Sequence, residues 1–458
     1  MDFREITIAD RALIEHHIRQ ANPKVCDYSM HSLYCWCASF PTSMCVDDGF
    51  LILRMDAEGK GECFYSRPFG KGDFTHIIPS ILNDASVRGD TARWFALDDE
   101  ALQIIRKVLP HYGVAYHRGS SDYVYAAEDL RSLTGRKYQP KRNHLHQFVE
   151  AYDHRYEVLA PCHFPECMRL LTLWQQQYRV HRGNVSDHEL DMLHGEEACV
   201  REAFAHYDAL GLYGGVLYVE GRLVAFTYGS ALSDDTFCTH IEKADESYVG
   251  VYAAINCLFA KHLPERFTFL NREDDMASPG LRQAKESYHP VSLHHKLLAL
   301  PLTPTMQQIR RLWLACFTDD VAQDAEQFLL TRYNEKQALL KYHGDMLVSM
   351  LFIVPFHTVA YIYAVATHPD YRGRGFARQL LAEAMERCKH DGFQCVCLIP
   401  ANDGLRRWYS RMGFEGAVQL VFHTHEDSCL GTGHVGHDIA MIHYYRPQPI
   451  PGKLVLQT

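Results

Sequence analysis

Apolar positions in the last third of the chain switch between the period of a strand and that of a helix. Runs at 347–354 and 359–367 predict two buried strands, and the spacing over 375–390 predicts a helix after them. A strand at 393–399 and a helix at 403–411 follow. Two helices and a strand come earlier, at 304–316, 324–333 and 337–341. This order predicts an α/β fold with a mixed sheet and helices on both faces.

The middle third shows a similar succession in a weaker form. Helical spacing of Met168, Leu171 and Trp174 precedes two strands that meet at the turn formed by Glu220 and Gly221. A strand, a helix and a second strand follow, at 236–241, 250–262 and 267–270. We therefore expect this segment to share the fold type of the last third.

Two seams divide the chain. The first is 131–146, which has five Lys or Arg, two His and no acidic residue. The second is 297–305, where prolines interrupt an apolar run and Thr303 is placed to cap a helix that starts at Pro304. These seams predict three domains, over 1–146, 147–300 and 303–458.

Composition and charge narrow the class of protein. The 458 residues include 46 Lys or Arg and 56 Asp or Glu, which gives a net charge of −10 and argues against a general nucleic-acid binder. The N-terminus has no signal-peptide pattern, and 15 cysteines, an odd number, predict reduced thiols in a cytoplasmic protein. The uncharged stretch 346–366 has the length of a membrane span, but Pro355 near its centre favours two strands joined by a turn.

Histidine and cysteine patterns predict no metal site. Cys162, His163 and Cys167 have no partners nearby at ligand spacing. The C-terminal histidines fit no standard ligand spacing either; they are His423, His425, His434, His437 and His443. Buried free cysteines and ordinary histidines are the expected reading.

The segment 368–381, HPDYRGRGFARQLL, lies between a predicted strand and a predicted helix. Gly373 and Gly375 allow close approach of the backbone, and the first N–H groups of a helix form an anion site. Arg372 and Arg374 add positive charge. The pattern indicates a phosphate or pyrophosphate site; the alternative is a plain strand-to-helix turn with solvated arginines.

These residues carry a resemblance to a known family. Arg372-x-x-Gly375-x-Ala377 resembles the R/Q-x-x-G-x-G/A signature of the GNAT N-acetyltransferases. Asn402 and the run RRWYSRMGF at 406–414 resemble the second motif of that family. The resemblance covers 303 to the C-terminus and implies acetyl-coenzyme A as co-substrate, with no metal.

The GNAT resemblance also implies roles for individual residues. Tyr409 is the implied general acid for the departing thiolate, with simple packing as the alternative. The implied cofactor-binding residues are Val365, Thr367, Arg372, Gly373, Arg374, Gly375, Phe376, Ala377 and Asn402. No general base is assigned, because the strand at 361–367 carries no acid; the candidates are His357, Tyr363 and Glu415.

The first two thirds resemble a second family, the C-terminal domain of phosphatidylglycerol lysyltransferase and its soluble relatives. The matching stretches lie at 122–125, 130–145, 225–229, 240–244, 271–275 and 280–290. This resemblance implies a tandem pair of GNAT-like units, so that the whole chain would hold three. It also implies aminoacyl transfer from transfer RNA to an amine or hydroxyl.

Two groups of charged residues in this region have open interpretations. The basic segment 131–142 is either a phosphate-binding surface for transfer RNA or a solvated connector. A second candidate site follows a predicted strand, and its residues either face a ligand crevice or seal a loop by ion pairs. Its members are Arg272, Glu273, Asp275, Arg282 and Lys285. Gly250 occupies the phosphate-loop position without the accompanying signature.

The sequence therefore predicts an acyltransferase. The C-terminal domain is expected to move an acetyl or acyl group from acyl-coenzyme A to an amine of a small molecule or peptide. One alternative is an aminoacyl-tRNA-dependent transferase in which the C-terminal domain is auxiliary. The other is a non-catalytic sensor of acyl-coenzyme A.

Overall fold

A computed structural model describes residues 1–57, 62–183, 185–318, 320–422, 439–446 and 453–456. Its backbone contacts divide it into two compact units. The first unit comprises Met1–Leu109 and Gly119–Ala299, and the second comprises Pro110–Arg118 and Leu300–Thr458. The mixed α/β class is confirmed, because the sheets combine parallel and antiparallel pairs.

The first part of the first unit builds one mixed sheet. Its strands are β1 (Arg4–Glu5), β2 (Thr42–Asp47), β3 (Phe50–Ala57), β4 (Glu62–Tyr65) and β5 (Arg93–Leu97). Its helices are α1 (Arg11–Ala21), α2 (Met30–Cys35), α3 (Ile78–Val87) and α4 (Asp99–Val108). Strand β6 (Tyr112–Ala115) is counted with the second unit.

The second part of the first unit builds another sheet. In chain order its elements are β7 (Asp122–Ala126), α5 (Ala127–Ser132), α6 (Gln139–Ala151), β8 (His154–Val158), α7 (Phe164–Arg182), α8 (Asp187–Ala205), β9 (Tyr213–Val219), β10 (Arg222–Ala231), β11 (Thr236–Ala244), α9 (Val251–His262), β12 (Phe269–Asn271), α10 (Pro279–Glu286) and β13 (Ser292–His294). The strand order is β13-β7-β12-β11-β10-β9-β8. Strand β14 (Leu297–Pro301) returns to pair with β5.

The second unit builds a third sheet. Its elements are α11 (Pro304–Cys316), α12 (Ala322–Thr331), β15 (Ala338–His343), β16 (Met346–Phe356), β17 (Val359–Thr367), α13 (Phe376–His390), β18 (Cys395–Leu398), α14 (Asp403–Ser410), β19 (Glu415–Phe422), β20 (Ile439–Tyr444) and β21 (Lys453–Leu456). The strand order is β15-β16-β17-β18-β20-β19-β21. Thr303 caps α11 as predicted, since its side chain accepts a hydrogen bond from the Met306 N–H at 3.2 Å.

The same supersecondary unit occurs in the second and third sheets. In each, an antiparallel hairpin (β10/β11 or β16/β17) leads through a helix (α9 or α13) to a parallel neighbour (β12 or β18). Each helix begins after a glycine with nearly the same left-handed backbone, Gly250 at φ 81° and Gly375 at φ 82°. The structure thus holds two versions of one strand–loop–helix arrangement.

Two further details refine the sequence predictions. The stretch 346–366 is a hairpin as expected, but Pro355 lies within β16 and the turn is formed by His357 and Thr358. All fourteen described cysteines are free, and eleven of them are buried, which confirms core packing as their common state. No described helix is both long and apolar enough to cross a membrane.

Candidate functional sites in the two units

In the second unit, the turn before α13 forms an open anion-binding surface. Gly373 (φ 79°) and Gly375 (φ 82°) both need the left-handed backbone, and a Cβ at either position would meet nothing within 4 Å. The first N–H groups of α13, at Phe376 and Ala377, have no partner within the helix, and the helix dipole makes this end positive. The turn therefore presents N–H donors to an empty space of the kind that a phosphate fills.

The two predicted arginines flank this turn. Arg372 donates from Nε to the carbonyl of Thr367 at 3.2 Å, and Arg374 donates from Nη2 to the carbonyl of Asp370 at 3.3 Å. The Arg374 guanidinium also lies 4.7 Å from the ring centre of Tyr371. Both side chains are exposed, and each guanidinium has further donors that these bonds do not use.

Strand β17 offers main-chain groups beside the turn. Its parallel ladder with β18 covers only Val359–Tyr361, although β17 continues to Thr367. A bulge at Ala364, which has φ 48°, bends the strand where the two diverge. Along 362–367, the edge that faces β18 is therefore outside any ladder of described strands, and it can pair with an extended ligand.

Val365 and Thr367 lie on this part of β17 and are half-buried. The Thr367 hydroxyl is 2.8 Å from the Ser349 hydroxyl, and its carbonyl accepts hydrogen bonds from Arg372 and from the Cys316 thiol at 3.3 Å. The carbonyl of Thr367 is therefore already used within the protein. Main-chain contacts with a ligand fall to the residues before it.

Tyr409 lies where β17 and β18 diverge. It is 5% exposed and packs in a cluster that includes Ile362, Leu380 and Leu398. Burial raises the pKa of Tyr409, so the phenol stays protonated at neutral pH. Its hydroxyl has no hydrogen bond to a described residue. Asn402, which was predicted to contact the cofactor, caps α14 by accepting a hydrogen bond from the Leu405 N–H at 2.9 Å.

The three candidate general bases lie in different places. His357 is exposed in the hairpin turn, at the end of β17 far from the glycine turn. Tyr363 is half-buried, with ring centres 5.6 Å from Trp313 and 5.0 Å from Phe328. Glu415 is exposed at the start of β19. Of the C-terminal histidines, His443 lies 2.8 Å from the Gly413 carbonyl, and His423, His425, His434 and His437 are outside the described residues.

The corresponding glycine turn of the first unit is closed. A Cβ at Gly250 would overlap the main-chain carbonyl of His144 in α6 and would lie 3.2 Å from the Phe148 side chain. Helix α6 thus fills the space that is empty above Gly375. A phosphate has no room at the N-terminus of α9.

This difference predicts unequal costs of substitution within the first unit. Gly250→Ala and Gly221→Ala both place a side chain at positive φ, but Gly221 has nothing within 4 Å of a Cβ. The φ strain alone costs about 1 kcal/mol, and the overlap at Gly250 adds about 2 kcal/mol. Urea unfolding measures both free energies. Equal values for the two variants would show that α6 does not close the turn.

A cluster of charged and polar residues is buried in the first unit, with Glu242 on β11 and Arg272 just after β12. Arg272 and Glu242 form an ion pair at 2.9 Å, and their side chains are only 13% and 12% exposed. The Arg272 guanidinium packs 4.9 Å from the ring centre of Tyr288. Asn256 donates to Glu242 at 3.2 Å. Burial, followed by the charge of Arg272, lowers the pKa of Lys141 to about 8.

Two polar atoms of this buried cluster have no hydrogen-bond partner among the described residues. They are Nη1 of Arg272 and Oδ1 of Asn256. A buried donor or acceptor that stays unpaired costs about 1–3 kcal/mol. One donor and one acceptor of the same cluster are therefore left for a partner that offers both an acceptor oxygen and a donor nitrogen.

Other members of the second candidate site hold the loop after β12. Asp275 accepts hydrogen bonds from Tyr123 at 2.7 Å and from Arg282 at 2.8 Å. The Lys285 ammonium donates to the carbonyls of Arg272 and Asp274. These contacts stabilise a loop in which Glu273 has φ 56°. The Asp275–Arg282 ion pair and the main-chain bonds of Lys285 thus hold this loop, in line with one of the two predicted interpretations.

Glu273 reaches a second group of polar residues that the sequence analysis missed. Its Oε1 is 2.8 Å from Nδ1 of His240, whose Nε2 is 2.8 Å from the Ser230 hydroxyl. Burial, followed by the charge of Asp122, raises the pKa of Glu273 to about 8, and burial lowers the pKa of His240 to about 3. The available signal was the pair Cys238 and His240, two residues apart on one predicted strand.

Two arginines of the basic segment are engaged within the protein. Arg131 donates to the carbonyls of Ala260 at 3.1 Å and Phe267 at 3.0 Å. Arg142 donates to the carbonyl of Gly135 at 2.7 Å. Arg136 and Lys137 are exposed. The segment is therefore partly structural, and fewer of its guanidinium groups are available to bind phosphates than its composition indicates.

Two parts of the chain match the models of known protein families. Residues 18–300 match the family model of the phosphatidylglycerol lysyltransferase C-terminal domain. The chain belongs to this family. Residues 303–417 match the model of the acetyltransferase (GNAT) domain. The phosphatidylglycerol lysyltransferase C-terminal region is thus followed by a GNAT domain, and the chain combines two transferase folds, as the sequence predicted.

The chain is also similar to individual proteins and solved structures. A conserved protein of unknown function from Bacteroides thetaiotaomicron is 32% identical, with a TM-score of 0.61 over 65% of this chain and 99% of that chain. An uncharacterised protein of Mycoplasmoides gallisepticum is 24% identical over 233 residues, which are 49% of this chain and 70% of that protein. The L-PGS structure from Bacillus licheniformis is 16% identical, with a TM-score of 0.40 over 56% of this chain and 84% of that chain.

Proposed function

We propose that the C-terminal GNAT domain transfers an acyl group from acyl-coenzyme A to an amine. The observation that carries this proposal is the open turn at Gly373 and Gly375, next to the unladdered edge of β17. The turn offers N–H donors for a pyrophosphate, and the strand edge offers main-chain pairing for an extended amide-containing arm. Coenzyme A has both parts in one molecule.

Residues of the chain can then be assigned to cofactor binding and to protonation of the leaving thiolate. Arg372, Arg374 and the N–H groups of 373–377 hold the pyrophosphate, and residues 363–366 align the pantetheine arm. The amine nitrogen attacks the thioester carbonyl carbon, the C–S bond breaks, and the proton of the amine leaves to water. Tyr409 donates its phenolic proton to the departing thiolate. Positioning supplies most of the rate, because the thioester is already activated.

Binding and turnover test this proposal separately. Calorimetry with acetyl-coenzyme A measures the affinity of the site, and release of free thiol in the presence of a panel of amines measures transfer. We expect binding and amine-dependent thiol release. Binding without any thiol release would favour the sensor alternative, and absence of binding would contradict both.

Tyr409→Phe is expected to lower kcat by about 10- to 100-fold, within the range of general acid catalysis. The dissociation constant of acetyl-coenzyme A should not change, because the phenol acts on the thiolate and not on the pyrophosphate. Tyr445→Phe is the matched control: its hydroxyl donates to the Met385 carbonyl at 2.6 Å, so its loss affects stability only. Equal turnover of Tyr409→Phe and wild type would remove the acid role.

A second function, aminoacyl transfer by the N-terminal region, is favoured by the unpaired atoms of Arg272 and Asn256. An aminoacyl ester carries a carbonyl oxygen that can accept a hydrogen bond from Arg272. It also carries an amino group that can donate a hydrogen bond to the Asn256 oxygen. Transfer of a labelled amino acid from charged transfer RNA to an amine or hydroxyl acceptor tests this. If no charged species acts as donor, this second function is wrong and the first is unaffected.

A further inference from the structure

We propose that Cys238, His240 and Glu273 bind one divalent transition-metal ion of the zinc class within the first unit. A thiolate, an imidazole and a carboxylate are the ligand types of protein zinc sites. The three side chains offer one ligand atom each, and these atoms all lie within 4.8 Å of one another. This site is separate from both functions proposed above.

The fold brings the ligands together by simple rules. Cys238 and His240 are two residues apart on β11, and His240 lies at a β-bulge, where the pairing with β10 shifts between Thr239 and Ile241. Both side chains are buried, and both reach Oε1 of Glu273. Strand β12 pairs in parallel with β11, with Asn271 opposite Cys238, and Glu273 follows two residues later. Glu273 therefore lies beside His240, and the backbone of Glu273 is left-handed at this point.

The distances are close to those of a metal centre. Oε1 of Glu273 is 2.8 Å from Nδ1 of His240 and 3.9 Å from Sγ of Cys238. Tetrahedral zinc with metal–ligand bonds of about 2.0–2.3 Å needs separations of roughly 3.3–3.6 Å. Relative to these values, Oε1 of Glu273 would move roughly half an ångström away from His240 and toward Cys238.

The surroundings of His240 match those of a metal ligand. Its Nε2 is 2.8 Å from the Ser230 hydroxyl, and its ring stacks on His31 at 4.0 Å between ring centres. Such outer contacts fix the orientation of a ligand imidazole and leave the other nitrogen for the metal. Here the nitrogen that remains is Nδ1, which faces Glu273 and Cys238.

Charge around the site favours a cation. Four carboxylates lie in this region, and two lysines oppose them. The carboxylates are Asp27, Asp122, Glu273 and Asp274, and the lysines are Lys285 and Lys296. The carboxylates therefore outnumber the ammonium groups around the ligand set. Buried charge of one sign is costly unless it is paired or bound to metal.

A neighbouring ligand set is already filled. Cys26, Asp27 and Asp122 also lie within ligand distance of one another. The Lys296 ammonium sits among them, 2.8 Å from Asp27, 3.0 Å from Asp122 and 3.3 Å from Cys26. Because the Lys296 ammonium already occupies the centre of that group, we assign the metal ion to Cys238, His240 and Glu273 instead.

An ion and a further ligand can reach the site from one side. The side chain of His240 is fully buried and Cys238 has no exposed surface, whereas the Glu273 side chain is 29% exposed. Three protein ligands leave one coordination position for water or substrate, as in zinc sites that act on a ligand.

The experiment uses full-length protein freed of metal with a chelator. Zn²⁺ is titrated by calorimetry, and Co²⁺ is titrated by absorbance, where a thiolate ligand gives a charge-transfer band in the near ultraviolet. We expect one ion per chain and a thiolate band that is lost in Cys238→Ser. Glu273→Gln should weaken Zn²⁺ binding at least about tenfold.

Two control variants separate this site from other thiols. Cys167→Ser changes a fully buried cysteine of α7, and Cys429→Ser changes the cysteine that lies among the C-terminal histidines in the sequence. Both should keep the band. A wild-type protein without the band, or a band that survives in Cys238→Ser, would overturn the proposal. If Cys238→Ser does not fold, unchanged Zn²⁺ affinity in Glu273→Gln overturns it instead.

Discussion

Gly375→Glu is expected to lower the affinity for acetyl-coenzyme A by at least about 100-fold, or about 2.7 kcal/mol. Gly375 has φ 82° and precedes α13, with nothing within 4 Å of a Cβ. A glutamate side chain would project into the space that the pyrophosphate needs and would bring a negative charge against it. The same charge would satisfy the N–H groups that otherwise bind the phosphates. Calorimetry with wild type and variant measures the difference.

Gly392→Glu is the matched control for this experiment. Gly392 follows the other end of α13, has φ 88° and also has nothing within 4 Å of a Cβ. Both substitutions therefore impose similar backbone strain and add the same charge to the same helix. The control should bind acetyl-coenzyme A as wild type does. Equal affinity in Gly375→Glu and Gly392→Glu would show that coenzyme A does not use this turn.

The glycine turn before α13 and its flanking elements were predictable because their residues are close in sequence. The strand, the glycine turn and the start of the helix occupy one run of about twenty residues, so periodicity and two glycines define them together. The boundaries of β17 and α13, at Val359–Thr367 and Phe376–His390, fall within one residue of the prediction. Only the bulge at Ala364 and the capping role of Asn402 needed coordinates, because both depend on pairing and on local hydrogen bonds.

The first unit was harder to predict because its sites join distant segments. Gly250 has the backbone of a phosphate turn, but His144, more than a hundred residues earlier, closes it. The arginines of 131–142 are a basic run in sequence, yet Arg131 and Arg142 bond to carbonyls. The proximity of Cys238, His240 and Glu273 could not be read from spacing within one segment, because Glu273 follows β12 and the other two lie on β11.

Arg272→Met is expected to destabilise the first unit by about 3 kcal/mol, because it leaves Glu242 buried and uncompensated. Glu242 is 12% exposed, and its remaining described partner is the Asn256 amide at 3.2 Å. Arg201→Met is the control, since Arg201 and Glu197 form an exposed pair within α8 at 2.7 Å. That change should cost less than about 0.5 kcal/mol. Urea unfolding compares the two, and equal small costs would contradict a closed, buried ion pair.

The double variant Arg272→Met/Glu242→Gln separates folding from chemistry. Removing both charges leaves no uncompensated ion, so at least half of the lost stability should return. Transfer of an aminoacyl group should stay abolished, because Nη1 of Arg272, the proposed donor to the substrate, is absent from both variants. Recovery of stability together with transfer would mean that Arg272 serves the fold alone. Recovery of stability without transfer would show that the Arg272–Glu242 pair is needed for transfer as well as for the fold.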